Sequence, residues 1–220
     1  MDRILAQTYG AKRQGRLAEP TSELILTMLS QNTNDNNRDK AYATLRRRFP
    51  TWAAVGDAKV SEIARAIRVG GLATIKSKRI KNVLRQISSR SSDYELGYLE
   101  KMSDEEIWDY LLAFDGVGPK TVSCVLLFAL GRKAMPVDTH VHRVGSRLGL
   151  IPKGYGADKA HRWFLDLGLP LDLYQLHLNM IQHGRSLCRS QRPRCHQCPL
   201  KGLCVYYREQ VAGRKPQGKT

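Results

Sequence analysis

Three groups of residues in this 220-residue chain have types and spacings that can do chemistry. The first is Gly116-Val-Gly-Pro-Lys-Thr121, a tight turn followed at once by a lysine. Gly116 and Gly118 let the backbone turn sharply and approach a ligand closely. Pro119 suits the first position of a helix, where its missing N–H has no partner to lose. Lys120 then falls in the first helical turn, at the positive end of the macrodipole, which favours the neutral amine. Only a neutral amine is a nucleophile. The second group is Val137-Asp-Thr-His140, in which Asp138 is placed to cap a helix through backbone N–H groups. The third is Cys188, Cys195, Cys198 and Cys204, spaced C-x6-C-x2-C-x5-C in a loop-like, basic stretch. Four thiolates this close can close a four-cysteine metal site. The uneven spacing favours a [4Fe–4S] cluster, with zinc the alternative. Taken singly, each group has an ordinary reading: a connection, a solvated lysine, a helix cap. Their occurrence together points to a site.

The elements that must position these groups are helical. Ile107, Tyr110, Leu111 and Phe114 repeat at helical spacing before the turn, as do Val122, Val125, Leu126 and Ala129 after it. Ser103-Asp-Glu-Glu106 is a capping box that opens the first of these helices. Upstream, Leu24, Ile25, Met28 and Leu29 mark a helix that ends in the polar run Ser30–Asn37. Ala41, Tyr42, Leu45 and Phe49 mark the next, followed by Val60, Ile63, Ala64 and Ile67, and by Ile80, Val83, Leu84 and Ile87. Downstream, Val141, Val144 and Leu148 run to Gly149; Trp163, Phe164 and Leu167 follow; Tyr174, His177, Leu178 and Ile181 run to Gly184. His177 reads as a core histidine, and Cys124 as a small buried hydrophobe. Residues 1–20 read as polar and extended, with Lys12, Arg13 and Arg16 open to phosphates. No alternating strand pattern is present, so the expected class is all-α.

Charge narrows the partners. With 36 Lys and Arg against 20 Asp and Glu, the net charge is +16. Nucleic acid is the natural partner for such a chain. The longest apolar run, Val122–Leu130, is interrupted by Ser123 and is too short to span a bilayer. The first residues, Met-Asp-Arg-Ile-Leu-Ala-Gln, show no secretory hydrophobic region. The expectation is an intracellular monomer found with DNA, in the cytoplasm or nucleoid if the source is prokaryotic, with reduced thiols. The stretch from Lys76 to Arg85 carries five basic residues and no acid, a candidate phosphate-tracking face.

With these motifs in this order, the chain resembles the endonuclease III family, the helix-hairpin-helix DNA glycosylases that carry an iron–sulfur cluster. The match runs from about Thr21 to Tyr207. The resemblance implies two helical lobes with duplex DNA in the cleft between them: a six-helix lobe over 21–131, and a cluster lobe built from 1–20 plus 132–220. It implies that Lys120 is the nucleophile and Asp138 its acidic partner, and that the enzyme is a bifunctional glycosylase and abasic-site lyase. Relatives that remove mismatched bases or adenine without cutting the strand lack this lysine. Oxidised pyrimidines are the expected substrate. The alternatives are a mismatch (uracil or thymine) or 8-oxoguanine glycosylase of the same fold, and a non-catalytic iron–sulfur DNA-binding protein.

Further DNA contacts follow from the resemblance. The amides around Gly116, Val117 and Gly118 would hold a backbone phosphate, and family members often bind a monovalent cation there. The family glutamine that fills the gap left by a flipped base falls on Asn32, with Gln31 beside it. The second wedge, a leucine, best matches Leu72, with Ile75 next. Lys76, Lys78, Arg79, His140, Arg143, Arg189, Arg192 and Arg194 complete the expected DNA-contacting set. Phe114-Asp115 stands where the family often has Leu-Pro.

Overall fold

The computed structural model describes residues 1–168 and 171–212, and no strand occurs among them. Positions 169–170 and 213–220 of the expected cluster lobe lie outside the described residues. The chain divides into two compact units, Leu17–Arg132 and Met1–Arg16 with Lys133–Thr220.

The N-terminal helix α1, Asp2–Tyr9, corrects the extended reading of the first residues. Its sequence offers too little apolar periodicity to announce a helix. Tertiary contact supplies what the pattern lacks: Leu5 is fully buried, and Gln175 Nε2 donates to both carboxylate oxygens of Asp2, at 3.2 and 3.0 Å.

Within Leu17–Arg132, α2 spans Pro20–Ser30 and α3 spans Asp35–Arg48. Glu19 caps α2, its carboxylate accepting from Thr21 N and Ser22 N, each at 2.7 Å. The same carboxylate accepts from Trp52 Nε1 at 3.1 Å, which fixes the start of α4, Trp52–Asp57. Asn34 caps α3 through Asn37 N, so part of the polar Ser30–Asn37 run does local structural work. After α5, Val60–Ala66, comes α6, Ala73–Ser88, whose Ile80, Val83, Leu84 and Ile87 are completely buried. Each such side chain stabilises the unit by roughly 1.5–3 kcal/mol relative to exposure. The capping box that opens α7, Asp104–Leu112, forms as its sequence suggests: Ser103 Oγ accepts from Glu106 N, and Glu106 accepts from Ser103 N. Helix α8, Pro119–Cys124, widens into a π-helical turn over Val125–Ala129, which closes with Leu130 N donating to Val125 O at 3.1 Å.

In the other unit, α9 is Thr139–Leu148, α10 is Ala157–Asp166 and α11 is Leu173–Ser186. Helix α11 packs against both α1 and α9. Gly184 permits the α9 contact, since a Cβ there would lie 2.9 Å from His140 Cβ. Two short 3₁₀ turns at Cys195–Gln197 and Lys201–Leu203 then carry the cysteine loop.

Candidate active site and metal centre

The hairpin joining α7 to α8 is built by its own backbone. Phe114 N donates to Leu111 O and Val117 N to Phe114 O, and Gly116 sits at φ +79°. Thr121 N and Val122 N both donate to Gly118 O, which starts α8 with Pro119 in its first turn. Val117 points inward at 7 % exposure. The amides of Gly116 and Gly118 take no acceptor among the described residues, and a Cβ on Gly118 would meet nothing within 4 Å. Two neighbours brace the turn. Gln31 Nε2 donates to Gly116 O at 2.8 Å. Arg79 lies across Gly116, where a Cβ would fall 2.5 Å from Arg79 Cδ, and its Nε is 3.7 Å from Asp115 Oδ1. Lys120, one residue into α8, is exposed.

Asp138 caps α9. Its Oδ1 accepts from His140 N at 2.8 Å and Val141 N at 2.7 Å, while Oδ2 has no hydrogen bond among the described residues. The strand of chain entering this cap is held by His161, a residue the sequence reading passed over. Val137 N donates to His161 Nε2 at 2.8 Å. Nδ1 therefore carries the proton and donates to Ala157 O at 2.7 Å. His161 is 1 % exposed.

Other expected DNA contacts separate into free and committed groups. Asn32 is exposed and left-handed at φ +51°, beside the hairpin-bound Gln31. Leu72 and Ile75 are half exposed, at 50 % and 49 %, unusual for large apolar side chains at a helix start. Lys78, Arg189, Arg192 and Arg194 are also exposed.

Lys76 requires a correction. It is 3 % exposed, and its ammonium donates to Leu29 O at 2.7 Å and Gly70 O at 2.8 Å. It ties α6 to the end of α2 and does not track phosphates; burial pushes its pKa down. The residue lies on the same helical face as Ile80 and Val83, a placement the count of basic residues conceals. Arg143 also departs from expectation. Its guanidinium donates to Cys188 O at 2.8 Å, Gly184 O at 2.9 Å and Thr139 O at 3.3 Å, and pairs with His140 Nδ1 at 3.1 Å. It clamps α9 to α11 rather than standing free for a phosphate, and His140 is drawn into the same clamp.

Sequence reasoning also missed Glu23. This carboxyl, 8 % exposed on α2, accepts from Thr27 Oγ1 at 2.9 Å. Burial pushes its pKa up to about 7, against the opposing pulls of Thr27, Arg38 and Lys120. A glutamate among Leu24, Ile25 and Met28 at helical spacing was the available signal.

The four cysteines line one pocket, together with Arg147, His183 and Tyr206. Among the described residues, no three His, Cys, Asp or Glu side chains converge closely enough to hold a single metal ion. Burial, followed by the charge of neighbouring thiols, pushes the Cys195 thiol up; burial is also the main cause at Cys198. Arg147 Nη1 donates to Cys188 Sγ at 3.3 Å, and its side chain lies over the Tyr206 ring at 4.6 Å. His183 Nε2 is 3.6 Å from Cys198 Sγ. Burial pushes the His183 pKa down to about 4.

Residues 25–167 match the family described as HhH-GPD superfamily base excision DNA repair protein. The chain belongs to that superfamily. It is 31 % identical over 199 residues to endonuclease III of Sulfolobus acidocaldarius, covering 90 % of this chain and 86 % of that one. It is 39 % identical over 190 residues to an Arabidopsis thaliana protein described as a candidate DNA glycosylase, covering 82 % of this chain but 64 % of that one. The structure of a trapped endonuclease III–DNA covalent intermediate superposes with a TM-score of 0.74 at 28 % identity, covering 92 % of each chain. Within the HhH-GPD superfamily the protein is thus a base-excision repair DNA glycosylase with an endonuclease III-like, all-helical fold. No helix among the described residues is long and apolar enough to cross a membrane.

Proposed function

We propose that the protein is a bifunctional glycosylase and abasic-site lyase that removes oxidised pyrimidines from duplex DNA, with Lys120 as nucleophile. The observation that carries this reading is an exposed lysine one residue into a helix, immediately after a braced Gly-Val-Gly turn with two unpaired amides. Such a turn is a nest for one backbone phosphate, and holding that phosphate would fix the strand beside the lysine. The likeness to an endonuclease III–DNA covalent intermediate supports the same chemistry. The target nucleotide must leave the stack first, at a cost of a few kcal/mol that is smaller for damaged bases. Asn32, Leu72 and Ile75 are the exposed side chains assigned to fill the gap, while Gln31 holds the hairpin.

The chemistry then runs in three steps. The Lys120 Nζ lone pair forms a bond to C1′ as the N-glycosidic bond breaks, its electron pair leaving with the base. Asp138 accepts the proton that the attacking amine loses, through the Oδ2 that its capping role leaves free, and its charge stabilises the cation developing on the sugar. The sugar ring opens to a Schiff base, and loss of a C2′ proton expels the 3′ phosphate by β-elimination.

Cys188, Cys195, Cys198 and Cys204 would hold a [4Fe–4S] cluster. The uneven spacing, with Cys195 and Cys198 the one close pair, favours the cluster over a structural zinc site, which usually shows two close pairs. The cluster would supply a structural crosslink that shapes the loop bearing Arg189, Arg192 and Arg194. A monovalent cation at the hairpin fits less well. The carbonyls of Phe114, Gly116 and Gly118 already accept from Val117 N, Gln31 Nε2, and Thr121 and Val122 N respectively.

The test is single-turnover excision on duplexes carrying an oxidised pyrimidine, 8-oxoguanine opposite cytosine, or a uracil or thymine mismatch. The reading requires fastest release of the oxidised pyrimidine, with strand cleavage at the same rate. Faster release of either alternative, or base release without cleavage, would contradict it. Asp138→Asn should slow both steps by on the order of 10²-fold or more while leaving melting unchanged, since asparagine caps equally well.

A further inference from the structure

A hydrogen-bonded chain that no catalytic step uses runs up to the pocket of the four cysteines, which it enters at His183. It begins on α11 with the Ser186 hydroxyl, whose Oγ donates to Gln182 O at 2.8 Å. Tyr9 Oη, at the end of α1, lies 3.1 Å from Ser186 Oγ and 2.9 Å from His183 Nδ1. His183 Nε2 in turn lies 3.6 Å from Cys198 Sγ, within reach of a sulfur hydrogen bond. His183 is 2 % exposed, and the Tyr9 ring meets it edge-on with centroids 5.9 Å apart. Two residues 174 positions apart are thus held against each other beside one cysteine.

Proton placement along this chain has two solutions, and a ligating thiolate selects between them. A metal-bound thiolate offers only lone pairs. Nε2 must then carry the proton and point it at Cys198. Nδ1 becomes an acceptor, and the Tyr9 hydroxyl donates to it. In the opposite arrangement Nδ1 carries the proton, and a bare Nε2 lone pair faces a sulfur anion. The first arrangement satisfies the histidine, the thiolate and the Tyr9 hydroxyl, with the Ser186 hydroxyl able to turn from Gln182 O to Tyr9 Oη; the second sets two acceptors against each other in a buried site, where unmet polar contacts are expensive.

We propose that His183 is a positioning residue for the cysteine-bound centre: its Nε2–H donates to the Cys198 thiolate, and Tyr9 on the N-terminal helix fixes the tautomer that makes this possible. This rests on the reading of the four cysteines as cluster ligands. Hydrogen bonds to cluster sulfurs raise the reduction potential, because they stabilise the more negative, reduced state. The chain thereby couples the first nine residues of the sequence to the electronic properties of a centre formed by its last quarter.

The experiment compares wild type with His183→Leu, His183→Gln and Tyr9→Phe as purified, iron-loaded proteins. Glutamine is the informative variant, because its Nε2 falls near the position of the histidine Nε2 and can still donate. Iron content, reduction potential and the Fe–S(Cys) stretching modes in the resonance Raman spectrum are read on each. His183→Leu should shift the potential negative and move one Fe–S(Cys) mode to higher frequency. His183→Gln should restore most of both shifts, and Tyr9→Phe should give a smaller shift in the same direction as leucine. A packing role alone predicts that glutamine and leucine behave alike. Equal spectra and potentials in those two variants, or wild-type values in His183→Leu, would overturn the proposal. If His183→Leu does not fold, the comparison of His183→Gln and Tyr9→Phe with wild type still decides: unchanged Fe–S(Cys) modes in Tyr9→Phe reject the relay. Wild-type protein that carries zinc and no iron would refute the cluster reading separately. The imidazole ¹⁵N shifts of that zinc form would then read the pairing directly, Nε2–H supporting it and Nδ1–H overturning it.

Discussion

Glu23 carries a pH signature that a surface carboxylate would not. Its pKa is raised from an ordinary value of 4.5 to about 7, with burial as the main cause. The folded state therefore holds a proton that the unfolded chain releases. The stability tied to that proton is fully present below the ordinary carboxylate pKa and is lost as pH rises through about 7. Glu23→Gln, which is neutral throughout, should match wild type below the ordinary value of 4.5 and be more stable at pH 8, by on the order of 3 kcal/mol at most. Melting temperatures of both proteins across that range measure the gap, and a gap independent of pH would show that Glu23 ionises freely in the fold. Lys76 makes the complementary case. Lys76→Met keeps the stem but leaves Leu29 O and Gly70 O without their donor. It should cost about 1–3 kcal/mol of stability and leave the salt dependence of DNA binding unchanged. A shallower salt dependence would return Lys76 to the phosphate-contacting set.

At the scale of elements, a tight crossing lies where α11 meets α9. A Cβ on Gly184 would sit 2.9 Å from His140 Cβ and 3.2 Å from Arg143 Nη2. His140 Cβ belongs to the helix itself and cannot swing aside. Gly184→Ala should therefore separate the helices and strain the Arg143 clamp, lowering stability by roughly 1–3 kcal/mol as overpacking does. Urea unfolding tests this, and an unchanged midpoint would mean the crossing has slack. The helices themselves were legible because apolar residues recur at 3.6-residue spacing in α2, α3, α6, α7 and α9. The hairpin was legible because two glycines and a proline admit few backbone alternatives. Helix α1 was not: it depends on contact with α11, a partner about 170 residues away. The π-helical turn after Cys124 was equally hidden, since its apolar run fits a regular helix as well. At the site, a basic side chain reads the same whether it faces solvent, as Lys78 does, or is spent on carbonyls, as Lys76 and Arg143 are. His161 and His183 escaped for a similar reason. Each acts through a backbone or cysteine neighbour that spacing alone does not reveal.

For the whole molecule, a net charge of +16 sets how binding responds to salt. Each phosphate neutralised should contribute about −0.9 to the slope of log affinity against log salt on duplex DNA. Arg192, exposed on the cysteine loop, should shallow that slope by roughly one unit or less when replaced by alanine, and weaken binding to all sequences alike. An unchanged slope would remove the cysteine loop from the DNA-binding surface. The central claim is that Lys120 becomes covalently attached to the sugar. It is tested most directly by borohydride reduction during reaction with a duplex containing an oxidised pyrimidine or an abasic site, followed by peptide mapping of the adduct. Wild type should yield a stable protein–DNA species with the modification on Lys120. Lys120→Ala should form none while binding the same DNA with nearly unchanged affinity. A trapped adduct formed by Lys120→Ala at the wild-type rate, or one mapped to another amine in the wild type, would contradict the account.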